Sequence, residues 1–310
     1  MRGPRPWTFI HVTDMQPGSP RSFRYNPAWA ENWETARRQI IERRPEFLLV
    51  GGDVSRDGSI HRWELEEMKA SLEAMEIPYR VIPGNMDTGN KHTRRQGPFP
   101  ERDDVSLNIT SEQLLQFESV FGPSRWTFIH RNVRVSGLCD MVLGSGLTEE
   151  ARTWEWLNRQ QTAKRAEHHF WLIHYPLFID RLDEPRFAIT RRETYYEWYF
   201  CLDQDSRDRL LATFKATGAT RVVSGHVHCR MEHVADGIHF DLAPATCGSQ
   251  WTGHWAEGDG TPGFLEYLVD GDRIAKRFVP LDRVSTRTDG YGPGGHPRPE
   301  QRDYSLAWKR

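Results

Sequence analysis

Short apolar runs that end in ligand-type side chains are the feature that most constrains the fold of this chain. The runs lie at Trp7–Ile10, Phe47–Val50, Tyr79–Ile82, His169–Ile173 and Arg221–Val223. Between the first three runs, apolar residues recur at helical spacing over Pro27–Arg44 and Ile60–Met75. This strand-helix-strand order predicts parallel strands joined by right-handed crossovers.

The rest of the chain continues the alternation in a looser form. Helices are predicted over Ser111–Val120, Glu149–Gln161 and Ser206–Thr217, and a hairpin over Trp126–His130 and Val133–Leu138. The last apolar runs, Ile238–Leu242, Gly263–Val269 and Ile274–Val279, are expected to be antiparallel strands. Together these patterns predict an α/β fold.

The residues that follow the first five runs are oxygen or imidazole ligands of the kind that divalent metal ions prefer. They are Asp14, Gln16, Asp53, Asn85, His174, His226 and His228. In an open α/β sheet the carboxyl ends of the strands share one edge, where ligands bind. Asp53 is suited to bridge two ions about 3.5–4 Å apart. We expect Asp14, Gln16 and His228 around one ion, and Asn85, His174 and His226 around the other.

Each of these motifs also has an ordinary explanation when it stands alone. A Gly-Gly-Asp sequence is more often a turn than a ligand, and a single histidine such as His174 is more often a hydrogen-bonded core residue. The same holds for one His-x-His pair. Their joint order, each after a predicted strand, is not explained in that way, so the sequence predicts a centre for two metal ions.

The motifs in this order resemble the calcineurin-like metallophosphoesterase superfamily, whose pattern runs Asp-x-His, Gly-Asp, Gly-Asn-His-Asp/Glu, His and Gly-His-x-His. The resemblance covers roughly residues 7–280. It implies a four-layer α/β/β/α sandwich of two mixed sheets flanked by helices, with the metal site at the strand carboxyl ends. It also implies two divalent ions (Mn, Fe, Zn or Mg, with Mn favoured) and hydrolysis of a small phosphate-ester substrate. The segment Thr246–Trp251 resembles a loop of some bacterial members and is expected near the mouth of the site.

Two positions depart from the family pattern. Gln16 stands where the family usually has a metal-binding histidine, and its amide oxygen is expected to coordinate instead. Met86 replaces the histidine that the resemblance assigns to transition-state stabilisation or leaving-group protonation, and a thioether does neither. Catalytic roles are assigned to Asp53 and Asn85, to Asp87 as a positioning carboxylate, and to His92 as a replacement proton donor.

Met86 also shapes the functional hypotheses. Without the proton donor, we expect hydrolysis of phosphodiesters or activated monoesters rather than alkyl monoesters. The alternative is a metal-binding pseudoenzyme or scaffold with weak catalysis. A further alternative is a nuclease, but the net charge of −2 gives no electrostatic footprint for nucleic acid.

Bulk properties predict a soluble, cytoplasmic protein with reduced cysteines. The sequence has no run of about 18 apolar residues, so no membrane association is expected, and it has no secretory signal pattern. Its four cysteines lack CxxC spacing. We expect a catalytic domain over residues 1–283, with insertions at about 88–110 and 178–203. Residues 284–310 are predicted to be a Gly/Pro/Arg-rich tail. Such an arm would suit a homo-oligomer. An aromatic cluster like that at Tyr195–Phe200 is more often core or a subunit contact than an apolar wall for the substrate.

Overall fold

The computed structural model describes residues 5–92, 105–179, 182, 199–249 and 258–292. The strands are β1 (Trp7–Val12), β2 (Leu48–Val50), β3 (Tyr79–Val81), β4 (Arg125–His130), β5 (Val133–Leu138), β6 (His168–Leu172), β7 (Arg221–Ser224), β8 (Met231–Ala235), β9 (Ile238–Leu242), β10 (Gly263–Asp270) and β11 (Arg273–Pro280). The α-helices are α1 (Pro27–Arg43), α2 (Arg62–Glu73), α3 (Asn85–Thr88), α4 (Ser111–Phe121), α5 (Thr148–Gln160) and α6 (Gln204–Thr217).

Two mixed sheets form the centre of the molecule. The first has the order β11-β10-β1-β2-β3, and the second has the order β4-β5-β6-β7-β9-β8. Strands β1, β2 and β3 are parallel, as are β5, β6, β7 and β9, whereas the remaining strands pair antiparallel at the edges. The carboxyl ends of β1, β2 and β3 therefore share one edge of the first sheet, and those of β6 and β7 share one edge of the second.

Helices cover the outer face of each sheet, because alternate residues along the strands are apolar on both faces. Phe9 of β1 packs between the sheets with Phe170 and Tyr267, while its neighbour Ile10 packs under α1 and α2. On the other side, Trp171 of β6 packs under α5 and α6. The predicted four-layer α/β/β/α sandwich is confirmed.

The strand prediction is incomplete at one edge of the second sheet. Ile238–Leu242 is the predicted strand and has an antiparallel neighbour, but the segment before it was not predicted to be a strand. The structure forms β8 over Met231–Ala235, which pairs antiparallel with β9, while β9 pairs parallel with β7. The burial of β8 alternates along an edge strand, but its apolar residues Met231 and Val234 lie on opposite faces, so the sequence shows no apolar alternation.

The start of the predicted C-terminal tail packs against α1. Ser285 donates its backbone N–H to Asn32 Oδ1 at 2.7 Å, and Arg287 donates to Glu31 at 2.8 Å. Tyr291 forms an isolated antiparallel bridge with Tyr25. Residues 293–310 lie outside the described residues, and the division into a domain and a tail remains a prediction. Among the described helices, none is long and apolar enough to cross a membrane.

Candidate metal centre

Two overlapping clusters of buried side chains lie at the strand carboxyl ends. The first cluster is Asp14, Asp53 and His228, and the second is Asp53, His174 and His226. Within each cluster, one ligand atom from every residue lies within 4.8 Å of the others. Asp53 belongs to both clusters, so its carboxylate is placed to face two ions at once.

Backbone strain is concentrated in the turns that carry these side chains. Asp14, Gln16, Asp53, His226 and His228 all have positive φ, between 40° and 68°. In the described residues only nine non-glycine positions have positive φ, and five of them are these. The conformation is uncommon outside glycine and costs free energy, and it tends to persist where the surrounding structure holds a functional site in place.

Two glycines let neighbouring loops touch the carboxylates. A Cβ at Gly84 would collide with the Asp53 carboxylate and backbone, and a Cβ at Gly225 would lie 2.5 Å from Asp14 Oδ2. These glycines directly precede Asn85 and His226. The close approach therefore brings the amide and imidazole ligands within reach of the carboxylates.

In the first cluster, the imidazole of His228 is oriented by a backbone carbonyl. Its Nδ1 lies 3.0 Å from the Gly248 oxygen, which directs Nε2 toward Asp14 Oδ1 at 3.2 Å. Burial alone would raise the pKa of Asp14, but His228 lowers it below its ordinary value through charge and hydrogen bonding. Gly248 belongs to the segment expected at the mouth of the site.

Gln16 also lies in the first cluster, but its amide is turned differently from the sequence expectation. Its Nε2 donates to Asp53 Oδ2 at 2.8 Å, while Oε1 accepts a hydrogen bond from Arg56 Nη1 at 2.9 Å. A guanidinium has only donors, so its partner must be the amide oxygen. As arranged here, Gln16 presents N–H groups to the cluster, and its oxygen points away.

The second cluster keeps its nitrogen and oxygen ligand atoms available. His174 Nδ1 lies 2.8 Å from the Gly51 oxygen, which leaves Nε2 at 3.4 Å from Asp53 Oδ1 and 3.2 Å from Asn85 Oδ1. His226 Nε2 is buried and has no hydrogen-bond partner among the described residues. An orphaned buried nitrogen is costly unless something binds it.

The ionisation of His174 indicates how strongly this cluster attracts positive charge. Burial favours the neutral ring, yet the Asp53 charge and hydrogen bond raise the pKa of His174 to about 10. A bound cation would take over the role of that proton, because metal ligation requires the neutral imidazole. With the unpartnered His226 nitrogen, this makes the residues fit a divalent ion.

The sequence profile of the calcineurin-like phosphoesterases matches residues 8–230, a span that contains both clusters. The chain belongs to this family. It is therefore a metal-dependent hydrolase of phosphoric ester bonds. Membership also explains why the carboxylate, amide and imidazole positions recur in the order that the sequence shows.

Curated relatives and solved structures agree with the family. The serine/threonine-protein phosphatase CPPED1 of Danio rerio is 26% identical over 309 residues, covering 91% of this chain and 87% of the relative. The purple acid phosphatase PPD1 from yellow lupin (Lupinus luteus) gives a TM-score of 0.62 at 11% identity, covering 97% of this chain and 55% of that one. A dimetal phosphatase from Danio rerio gives a TM-score of 0.54 at 14% identity, covering 88% and 95%. At these identities the structural likeness shows the fold.

Met86 occupies the position where the family pattern has histidine. Its backbone N–H donates to Asp53 Oδ1 at 2.8 Å, so the residue lies directly against the shared carboxylate. Its Sδ lies 3.5 Å from Asn85 Nδ2 and 3.8 Å from Arg24 Nη2. The thioether is therefore placed between a predicted ligand and a guanidinium group.

The structure does not bring His92 into the clusters. Its ring is partly buried, and no hydrogen bond or ring contact joins it to Met86 or Asp53 within the described part of the chain. Its role as a proton donor remains a prediction without a supporting contact. Arg94 and Arg95, from the same predicted loop, lie outside the described residues.

Asp87 holds the loops of the centre together. Its two carboxylate oxygens accept hydrogen bonds from the backbone N–H groups of Gly84, Ser55 and Val54 and from the Ser55 hydroxyl, at 2.5–3.2 Å. Burial and repulsion from Asp53 raise the pKa of Asp87 to about 6. This placement supports the positioning role predicted for Asp87. It does not support a role as a metal ligand.

Three charged residues around the clusters were not predicted from the sequence. Asp140 accepts hydrogen bonds from the backbone N–H groups of His174 and Tyr175 at 2.9 and 2.8 Å. Its position directly after the predicted strand Val133–Leu138 was the available signal. Arg24 and Arg56 come from loops whose sequence carries no such signal, and their guanidinium groups reach Met86 and Gln16.

Aromatic rings pack against His226. The centroid of the Tyr175 ring lies 3.9 Å from that of the imidazole, and the centroids of the Tyr199 and Phe200 rings lie at 5.7 and 5.3 Å from it. The last two belong to the aromatic cluster identified in the sequence. Tyr195, Tyr196 and Trp198 of that cluster lie outside the described residues.

Proposed function

We propose that this protein uses two divalent ions, with Mn²⁺ favoured, to hydrolyse phosphodiesters or activated phosphomonoesters in preference to alkyl phosphomonoesters. The observation that supports this preference is Met86, placed against Asp53 by its backbone N–H. General acid catalysis is worth about 10²–10⁴-fold when the leaving group needs a proton. Methionine has no proton to give, so the loss falls on substrates with poor leaving groups.

The chain's own residues would hold the ions and fix their surroundings. Divalent ions at such a centre lower the pKa of bound water and offset charge on the phosphoryl oxygens. Asp53 would face both ions, Asp14 and His228 one of them, and His174, His226 and Asn85 the other. Gly51 and Gly248 carbonyls would orient the two imidazoles, as outer-shell partners usually do.

The competing substrate class comes from the curated relative, which is named a serine/threonine-protein phosphatase. Phosphoserine and phosphothreonine are alkyl monoesters with poor leaving groups. A second candidate function is a metal-binding protein with weak catalysis. The Gln16 oxygen bound to Arg56 supports that candidate, because it removes one oxygen ligand from the first cluster.

Three substrates separate these proposals in the presence of Mn²⁺. We expect kcat/KM for bis-p-nitrophenyl phosphate and p-nitrophenyl phosphate to exceed that for a phosphoserine peptide by about tenfold or more. Asp53→Asn is the control, because it removes the charge of the shared carboxylate and replaces one of its oxygens with an NH2 group. A phosphoserine peptide hydrolysed best would contradict the preference, and no turnover with both ions bound would support the second candidate.

We further propose that the protein works in the cytoplasm. All four cysteines, Cys139, Cys201, Cys229 and Cys247, are buried thiols, which suits a reducing compartment. Localisation of a tagged full-length protein by microscopy and cell fractionation tests this proposal.

A further inference from the structure

A guanidinium group lies beside Met86 at the edge of the metal centre. Arg24 directs Nη2 at Met86 Sδ across 3.8 Å. Met86 in turn donates its backbone N–H to Asp53 Oδ1 at 2.8 Å. A single residue, Met86, thus links Arg24 to the shared carboxylate, at the position where the family pattern has histidine.

Arg24 is fixed from behind by a buried carboxylate. Its Nε donates to Asp57 Oδ1 at 2.7 Å, its backbone N–H donates to Asp57 Oδ2 at 2.8 Å, and Nη2 donates to the Arg56 carbonyl at 2.9 Å. The Asp57 side chain is 1% exposed, whereas that of Arg24 is 27% exposed. The guanidinium is therefore anchored on a buried carboxylate, while the Arg24 side chain as a whole stays partly exposed.

The free end of Arg24 carries unused donors. Within the described residues, Nη1 makes no hydrogen bond, while Nε and Nη2 are both engaged.

We propose that Arg24 binds the phosphoryl group of the substrate through Nη1, beside Met86. This assignment rests on the proposed function and extends it to a phosphate-binding residue. A planar guanidinium matches phosphate oxygens well. Because arginine stays protonated, Arg24 supplies fixed charge but no proton. Arg24 and Met86 together therefore suit phosphate esters whose leaving group needs no protonation.

The test compares Arg24→Gln with Arg24→Lys and with a matched control, Arg21→Gln. Arg21 lies on the same loop, but it is exposed and pairs with Glu67 at 3.8 Å. We expect Arg24→Gln to raise KM for bis-p-nitrophenyl phosphate and Ki for inorganic phosphate by about 10- to 100-fold, the range of one lost charged hydrogen bond. Arg24→Lys should recover part of the affinity. Bound Mn²⁺ and the Arg21→Gln constants should stay at wild-type values.

Losing the Arg24 guanidinium removes the charged partner of the buried Asp57 carboxylate and leaves it only the backbone N–H bond, which destabilises the loop. The double variant Arg24→Gln/Asp57→Asn removes that charge and should keep the wild-type melting temperature while still binding phosphate weakly in calorimetric titration. Wild-type turnover with an unchanged phosphate Ki in these variants would overturn the assignment of Arg24 and leave the proposed function standing. A wild-type protein that turns over no phosphate ester would overturn the proposed function, and this assignment with it.

Discussion

The two clusters of the metal centre share Asp53 but differ in how completely they are prepared for an ion. In the second cluster, His174 is oriented by a carbonyl, His226 has an unpartnered buried nitrogen, and the Asn85 oxygen faces His174. In the first cluster, His228 and Asp14 are similarly placed, but Gln16 turns its oxygen to Arg56. One cluster thus offers a full set of ligand atoms, while the other lacks one.

This difference implies that the two ions bind with unequal affinity. An ion in the second cluster meets ligands that are already free, whereas an ion in the first must do without the Gln16 oxygen or draw it away from Arg56. We expect one tightly bound and one weakly bound ion per chain, and metal titration by calorimetry should resolve two classes of site.

Removing one imidazole from each cluster in turn should have the largest effect on metal binding and should affect the two sites differently. His226→Ala is expected to weaken metal binding at the tight site by more than the 10- to 100-fold typical of outer-shell changes. His228→Ala should leave the tight ion in place and remove the weak one. Elemental analysis after dialysis measures the number of ions retained. Equal losses in the two variants would show that the clusters do not differ.

Gln16→His should strengthen metal binding in the first cluster, because it places an imidazole where the family pattern has one. We expect the weaker dissociation constant for Mn²⁺ to fall by about 10-fold or more, while the tighter one stays unchanged. Arg56→Met is the companion variant, because it frees the amide oxygen without changing Gln16. If neither substitution strengthens the weak site, the orientation of Gln16 does not limit metal binding.

The sequence predicted the parts of this centre that depend on strand order. Asp14, Asp53, His174, His226 and His228 follow strands whose carboxyl ends meet at the sheet edges, so their convergence follows from topology. The fold follows in the same way, because apolar runs and helical periods are local properties. The parallel pairing of β7 with β9 was not predicted. It requires an intervening strand, β8, whose sequence carries no clear strand pattern.

Contacts between loops could not be read from the sequence. The Arg56 contact that turns Gln16 joins residues 40 positions apart, and that between Arg24 and Met86 joins residues 62 positions apart. Neither arginine belongs to a periodic pattern or follows a strand. Such contacts depend on the path of irregular backbone, which apolar spacing does not determine.

Met86→His tests whether the centre lacks only a proton donor. The substitution places an imidazole between Asn85 and Arg24, so we expect p-nitrophenyl phosphate turnover to change little and phosphoserine peptide turnover to rise by about tenfold or more. The measured quantity is the ratio of the two kcat/KM values. Met86→Leu, which keeps the volume and adds no proton, is the control, and an unchanged ratio would separate substrate preference from position 86.

Glu64→Gln should give the smallest effect of these variants, a change in the pH dependence of stability. Glu64 holds the loop that carries Arg56, the partner of Gln16. Glu64 Oε2 accepts the backbone N–H groups of Arg56 and Asp57 at 2.9 and 2.7 Å, and glutamine can keep both bonds. Burial and Asp57 raise the pKa of Glu64 from 4.5 to about 8. The native state therefore holds a proton that the unfolded chain releases above pH 4.5, and this contribution to stability is lost as the pH rises through 8.

Glutamine is neutral throughout, so the variant should resist alkaline destabilisation that the wild type suffers. We expect similar melting temperatures near pH 5, and at pH 9 a higher melting temperature for Glu64→Gln by a few degrees, or roughly 1–2 kcal/mol. Asp87→Asn is the contrasting variant, because both Asp87 oxygens are acceptors and an amide would turn a donor toward a backbone N–H. It should be less stable than the wild type above about pH 6, where Asp87 is ionised in the native protein. A melting-temperature gap between Glu64→Gln and the wild type that does not widen with pH would mean that Glu64 is already ionised in the native protein.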